Sequence, residues 1–218
     1  MLMMKQLEID FLKLLRNGIK SMKLTDLSLY LNAFLVSCKD PKNFYGDNLV
    51  RALRDGVDVA QKLDEFVNPS IYLTLCINNA TIFDDIKKLE DIFLNRNDTI
   101  GMIDIQALTL LTTACIFQKT DFLNESTYDN LKMAFLRNVK DHGFPGNVYE
   151  AALLFQALQE MKVTLTGLID FILKWQQADG SFGDILSTYL VLPTLVGKNM
   201  VLLNDHCGQR NTSGNSKF

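Results

Sequence analysis

Helices of two kinds alternate along this chain, and that alternation constrains the fold more than any other feature. Apolar spacing at period 3.6 predicts roughly ten helices, over residues 3–16, 24–38, 46–66, 69–79, 82–95, 102–118, 126–140, 147–160, 164–177 and 185–197. Five stretches carry almost no charge: Leu24 to Cys38, Pro69 to Asn78, Met102 to Phe117, Val148 to Leu158 and Ile185 to Leu195. The helices between them are amphipathic and charged, as in Asp84-Asp85-Ile86-Lys87-Lys88-Leu89-Glu90-Asp91-Ile92-Phe93, most simply a solvated outer face. A helix apolar all round is buried on both sides, whereas an amphipathic one keeps a wet face. Repeating such a pair roughly every 35–45 residues is what a double ring of helices, or a helical solenoid, requires. The expectation is an all-α fold.

The 218 residues are 48% hydrophobic, enough for one substantial core, so a single domain is expected over 1–207. Residues 208–218, rich in Gly, Ser, Asn and Thr, read as a disordered tail. A formal net charge of −3 with no long basic run leaves no electrostatic footprint for nucleic acid. No window approaches the roughly 18 uninterrupted apolar residues of a membrane span.

The loops fit helix pairs. Asp141-His142-Gly143-Phe144-Pro145-Gly146-Asn147 ends one helix on Gly143 and starts the next near Asn147, a plausible N-cap. Pro41 and Pro69 stand at helix boundaries, where a missing N–H is harmless. The corner Trp175-Gln176-Gln177-Ala178-Asp179-Gly180-Ser181-Phe182-Gly183 turns on Asp179-Gly180. Gln176 can tie the helix end to that turn, and Phe182 re-enters the core.

Compartment signals conflict. Lys5, Glu8 and Asp10 break the apolar run at the N-terminus, so it is not a secretory signal peptide, which by itself reads as cytosolic. Against that stand an even set of four cysteines, Cys38, Cys76, Cys115 and Cys207, and glycosylation sequons at Asn79, Asn97, Asn124 and Asn211. These favour a secreted protein whose leader is missing from this chain. By spacing alone, four cysteines allow three disulfide connectivities. The bland alternative is four buried free thiols in a reducing compartment.

Four segments, in matching order from about residue 20 to Cys207, resemble the α-domain of the cobalamin carriers, the intrinsic factor, transcobalamin and haptocorrin family. They are Leu24-Thr25-Asp26-Leu27 with Leu35-Val36-Ser37-Cys38-Lys39-Asp40-Pro41; Asp104-Ile105-Gln106-Ala107 through Cys115; Lys140-Asp141-His142-Gly143-Phe144-Pro145-Gly146-Asn147-Val148-Tyr149; and Phe182-Gly183-Asp184 through Leu192-Pro193-Thr194-Leu195-Val196-Gly197-Lys198. The resemblance implies an α/α barrel (an α6/α6 toroid, a terpenoid-cyclase-like ring) with the N-terminal helices missing. It also implies disulfides Cys38–Cys207, tying the segment after the last helix back to the start, and Cys76–Cys115. The latter closes a loop of about 40 residues, for which chain entropy gives about 3–4 kcal/mol.

The function this implies is non-catalytic: binding and transport of cobalamin by a secreted protein, with cobalamin as ligand, a cell-surface uptake receptor as further partner, and no metal held by protein side chains. Asp104, which opens an otherwise apolar helix, matches a carrier Asp that accepts hydrogen bonds from the corrin amides; the plain alternative is a helix N-terminal acid. Asp184 stands where the family has a ligand-touching Asn, and an Asp accepts but cannot donate. Leu190 replaces a Gln, and Gly101 lies where some carriers place a cobalt-binding His. Tyr149 and Trp175 read either as ligand-stacking aromatics or, more simply, as core. In the carriers cobalamin is sandwiched against a C-terminal β-domain. That domain is expected to be absent here, leaving a half-site, and tight small-molecule sites bury most of their ligand.

Two other classes compete. The Gln-x-x-Asp-Gly-Ser-Phe-Gly corner also resembles the repeats of terpene cyclases and protein prenyltransferases, which would imply a prenyl-diphosphate enzyme. The chain lacks the cyclases' acidic cluster, and His142 in a Gly-Pro turn and His206 beside Cys207 do not look like zinc ligands. The remaining class is a protein-interaction module that uses a concave helical surface without cobalamin.

Overall fold

A computed structural model describes residues 2–16, 18–94, 102–203 and 207. Among these residues the chain is all-α. Its ten α-helices are α1 (Leu2–Leu15), α2 (Leu24–Val36), α3 (Leu49–Lys62), α4 (Pro69–Ile77), α5 (Phe83–Leu94), α6 (Ile103–Lys119), α7 (Glu125–His142), α8 (Val148–Glu160), α9 (Leu168–Leu173) and α10 (Ile185–Leu195). Short 3-10 turns occupy Ile19–Ser21, Pro41–Asn43 and Met200–Leu202. The chain forms two compact units: residues up to Ala80 with Leu203 and Cys207, and Thr81–Leu202.

Two helices start well after the residue the spacing predicts, for local reasons. The third starts at Leu49 rather than residue 46, because Tyr45 (φ 51°) and Gly46 (φ 92°) make a turn closed by the Phe44–Asp47 bridge. Asn48 then caps α3 by accepting from the Arg51 N–H at 2.9 Å. The ninth starts at Leu168, because Gly167 is left-handed at φ 82° and interrupts the run.

In the first unit α2 packs against α3 and α4. Asn68 caps α4, Pro69 opens it, and every residue from Ile71 to Ile77 is buried, as a helix apolar all round requires. α3 is amphipathic and buries only Leu49, Val50, Leu53, Val57 and Ala60. Phe11 of α1 joins Tyr30, Phe34 and Phe44, with ring centroids 4.7, 5.4 and 5.3 Å away. One polar seam crosses this core. Thr74 meets Ser28 at 3.1 Å and donates to Asn32 Oδ1 at 3.1 Å, so α2 and α4 run side by side with their buried polar atoms paired.

In the second unit α6 is central and packs against α5, α7 and α8, while α8 also meets α9 and α10. α6 buries every residue from Ile105 to Ile116, and Thr109, Thr112 and Thr113 satisfy their hydroxyls on its own carbonyls. α6 and α8 run in the same direction: Gln118 near the end of α6 donates to Glu160 at the end of α8 at 2.6 Å. α8 and α10 do so too. Gln156 donates to the Leu190 carbonyl at 2.8 Å and accepts from the Met200 N–H beyond α10 at 2.8 Å.

α10 departs from expectation. It was predicted to be covered on both sides, and it buries only Ser187, Leu190, Val191 and Thr194. Ile185 is 90% exposed, Leu192 55% and Val196 69%, because α8 covers one face and these residues lie on the other. α2 likewise leaves Leu29 and Val36 exposed. Full burial belongs to the middle members of the series, α4 and α6, and nearly to α8.

Five helices end in the same way. At α2, α3, α4, α8 and α10 a residue with positive φ (Cys38, Asp64, Asn79, Lys162 or Gly197) donates to a carbonyl three residues back. The next residue donates to the carbonyl five back, as Ala80 does to Leu75 at 2.9 Å. This is the Schellman closure, which satisfies the orphan carbonyls of a helix end. Only one of the five uses Gly. Of the others, Asp64 and Asn79 are residue types that tolerate the left-handed region, whereas for Cys38 and Lys162 it costs about 1–2 kcal/mol each.

Candidate functional site

The starts of α6, α8 and α10 share one end of the second unit, and the residues singled out as ligand contacts gather there. Asp104 lies in the first turn of α6 and is half-buried. Tyr149 lies in the first turn of α8 and is also half-buried. Burial, and then the nearby Asp104 charge, push the Tyr149 phenol above its ordinary value. The two side chains therefore sense each other across the tops of two parallel helices. Next to them Asn147 caps α8 by accepting from the Glu150 N–H at 2.9 Å, and the Glu150 carboxylate accepts from the Gly146 N–H at 2.8 Å. Beneath them buried Gln106 accepts from Asn138 at 3.1 Å, holding the end of α7 against the start of α6.

Asp184 caps α10, accepting from the Ser187 N–H at 2.6 Å. That bond holds its carboxyl below the usual range. The side chain is exposed, and the Ser187 N–H engages only its Oδ1. The preceding corner is built as predicted: Gln176 donates to the Gly180 carbonyl at 3.4 Å, Ser181 donates twice to Asp179, and Phe182 is buried. Leu190 lies in the core and reaches no surface of the site.

Trp175 was expected to be core, and it is 41% exposed. It stacks edge-on against Phe171 at 6.3 Å, and Phe171 against exposed Phe144 at 5.2 Å. Phe144 and Trp175 belong to the α7–α8 and α9–α10 connections, which lead into the same helix starts. An apolar step thus borders the acidic end. Its signal in the sequence was Phe144, an aromatic placed in a Gly-Pro turn rather than on the apolar face of a helix.

In the first unit, Glu8 is only 3% exposed yet charged, a feature the sequence showed merely as a break in an apolar run. Lys5 donates to it at 3.1 Å, Tyr45 at 3.1 Å, and Lys39 pairs with it at 3.3 Å. The Lys5 donation, ahead of the others, holds the Glu8 carboxyl below its usual range. The carboxylate fastens α1 to the turn after α2.

All four cysteines are oxidised. Cys38 bonds Cys207 with Cα atoms 5.4 Å apart, and Cys76 and Cys115 are disulfide-bonded as well. Four free thiols are thereby excluded. Cys38 is exposed, whereas Cys76 and Cys115 are buried. Beside Cys38 and Cys207 lies a cavity of ≈ 280 Å³, edged by Asp40, Lys42, Asn78 and Asn79. Of the sequons, Asn79 and Asn124 are exposed. Asn97 and Asn211 fall outside the described residues, as do Gly101, His206 and the predicted disordered tail at 208–218. Among the described residues no three His, Cys, Asp or Glu side chains gather to hold a metal ion, and no helix is long and apolar enough to cross a membrane.

A Drosophila melanogaster protein described as "Uncharacterized protein CG3556" is 28% identical to this chain over 194 residues, covering 84% of this chain and 32% of that protein. The chain thus spans about a third of the length of that relative. No family profile matches the chain, and no solved structure does.

Proposed function

We propose that the chain is a secreted, non-catalytic cobalamin-binding protein of the carrier type, its helices forming part of an α/α barrel. Cobalamin lies across the starts of α6, α8 and α10. The observation that carries this reading is that Asp104 and Tyr149, an acceptor and a phenol donor, both stand half-buried in the first turns of the parallel helices α6 and α8. Asp184 on the same end adds a second acceptor. The oxidised cysteines support an extracellular location. The rim offers one face only, so affinity stays modest unless a second domain or chain covers the other face. A cell-surface uptake receptor is the expected further partner. Titration of cyanocobalamin into the oxidised chain, with Asp104→Ala as control, tests the reading.

A second reading has its own observation. The exposed stripe of Ile185 and Leu192 on α10, with Val196 just past its end, is an apolar face left uncovered among the described residues, which an interaction module that has left cobalamin behind would keep. Crosslinking that depends on this stripe, in a chain that ignores cobalamin, would favour it.

A further inference from the structure

We propose that Asn79 carries an N-linked glycan whose first sugars lie over the cavity beside the Cys38–Cys207 disulfide and keep reductants from it; this rests on the secreted reading above. Cys38 and Asn79 hold the same place in two neighbouring helices. Each is the left-handed residue just past the C-cap, at φ 58° and φ 53°, and α2 and α4 run side by side. The cavity of ≈ 280 Å³ lies where these two ends meet, lined by both residues and by Cys207. It is too small for a corrin, since even drug-sized ligands take roughly 300–1,000 Å³. Asp40 and Lys42 on its edge supply an acceptor and a donor of the kind sugar hydroxyls use.

Two observations about the sequon Asn79-Ala80-Thr81 point the same way. The Asn79 backbone is spent on closing α4, donating to Cys76 at 2.9 Å, while its carboxamide is exposed and has no hydrogen-bond partner among the described residues. The Thr81 hydroxyl is buried with no partner there either. A buried unpaired hydroxyl costs stability, so a Val would serve the fold better. A hydroxyl at this position is useful before folding, when the glycosyl-transferring enzyme reads Asn-x-Thr. Asn124 contrasts with it: its side chain caps α7 by accepting from the Thr127 N–H at 2.8 Å, which accounts for an Asn without a sugar. In the transfer, Asn79 Nδ2 bonds to the anomeric carbon of a lipid-linked oligosaccharyl diphosphate. The anomeric C–O bond breaks, the lipid diphosphate leaves with the electron pair, and Nδ2 gives up one proton.

The test is the full chain secreted from eukaryotic cells. Deglycosylation by peptide N-glycosidase in heavy-oxygen water, followed by peptide mass spectrometry, is expected to show Asn79 converted to labelled Asp. Thiol trapping during mild reduction is expected to show Cys38–Cys207 opening several-fold faster in Asn79→Gln or after deglycosylation. Thr81→Val is expected to lose the glycan and, compared in deglycosylated form, to melt no lower than the parent. A glycan at Asn124 with Asn79 bare overturns the proposal and leaves the secreted reading standing. Reduced cysteines with no sugar at any sequon overturn both. A glycan at Asn79 with unchanged reduction overturns the shielding, and a lower melting point for Thr81→Val shows that the hydroxyl serves the fold instead.

Discussion

Asp104 and Tyr149 occupy the first turns of two parallel helices, α6 and α8, and the carboxylate's charge adds to burial in raising the phenol's pKa. Asp104→Asn should therefore lower the Tyr149 pKa while leaving it above that of an exposed tyrosine, because burial is the larger cause. Ultraviolet titration of the phenolate band, with Tyr149→Phe as reference, checks this. A folded pKa raised above the unfolded value of about 10 gives a contribution fully present below that pH and lost as pH rises through the folded value. A Tyr149 band unmoved by Asp104→Asn would mean the two groups are not coupled.

Asp184 is a cap first. Asp184→Asn keeps the acceptor for the Ser187 N–H and should leave the melting point nearly unchanged, whereas Asp184→Ala should lower it. The Asp184 carboxyl is held below its usual range, so its contribution is present above the unfolded pKa and lost as pH falls through the folded one. Thermal melts from pH 2 to pH 6 should therefore show the parent and Asp184→Asn diverging only at the acid end.

The Glu8 clasp should matter for α1 alone. Lys5 and Lys39 reach it from solvent, so each pair is screened and contributes less than a fully buried one would. Glu8→Gln is expected to raise amide exchange in Leu2–Leu15 and leave α6 and α8 protected. Equal exchange across the chain would show that α1 is held by Phe11 packing instead.

Breaking Cys38–Cys207 should cost more. The bond closes a span of 169 residues, and Cys38→Ser with Cys207→Ser is expected to cost about 2–4 kcal/mol in urea unfolding. A loss below about 0.5 kcal/mol would mean that the terminal segment adds nothing to the first unit.

The helices were legible because their apolar residues recur at 3.6, and α4, α6 and α8 are buried as their lack of charge predicts. The ends of α3 and α9 were less so. Tyr45, Gly46 and Gly167 act through positive φ, which no hydrophobic pattern records. The exposure of Ile185, Leu192 and Val196 was not legible at all, since local apolarity says what a helix can bury but not whether a neighbour is there to cover it. Trp175 misled for the same reason. At the candidate site, the clustering of Asp104 with Tyr149 depended on α6 and α8 running parallel, a relation between segments far apart in sequence. The Glu8 clasp left only a Lys5–Glu8 spacing of three, which many solvent-exposed helices share.

The most direct measurement is calorimetric and absorbance titration of aquo- and cyano-cobalamin into the oxidised chain, beside Asp104→Ala and Tyr149→Phe. Saturable binding that weakens several-fold in both variants, with unchanged melting points, is the predicted result. Absence of binding up to high micromolar ligand, or binding indifferent to both substitutions, would contradict a cobalamin site at the starts of α6 and α8.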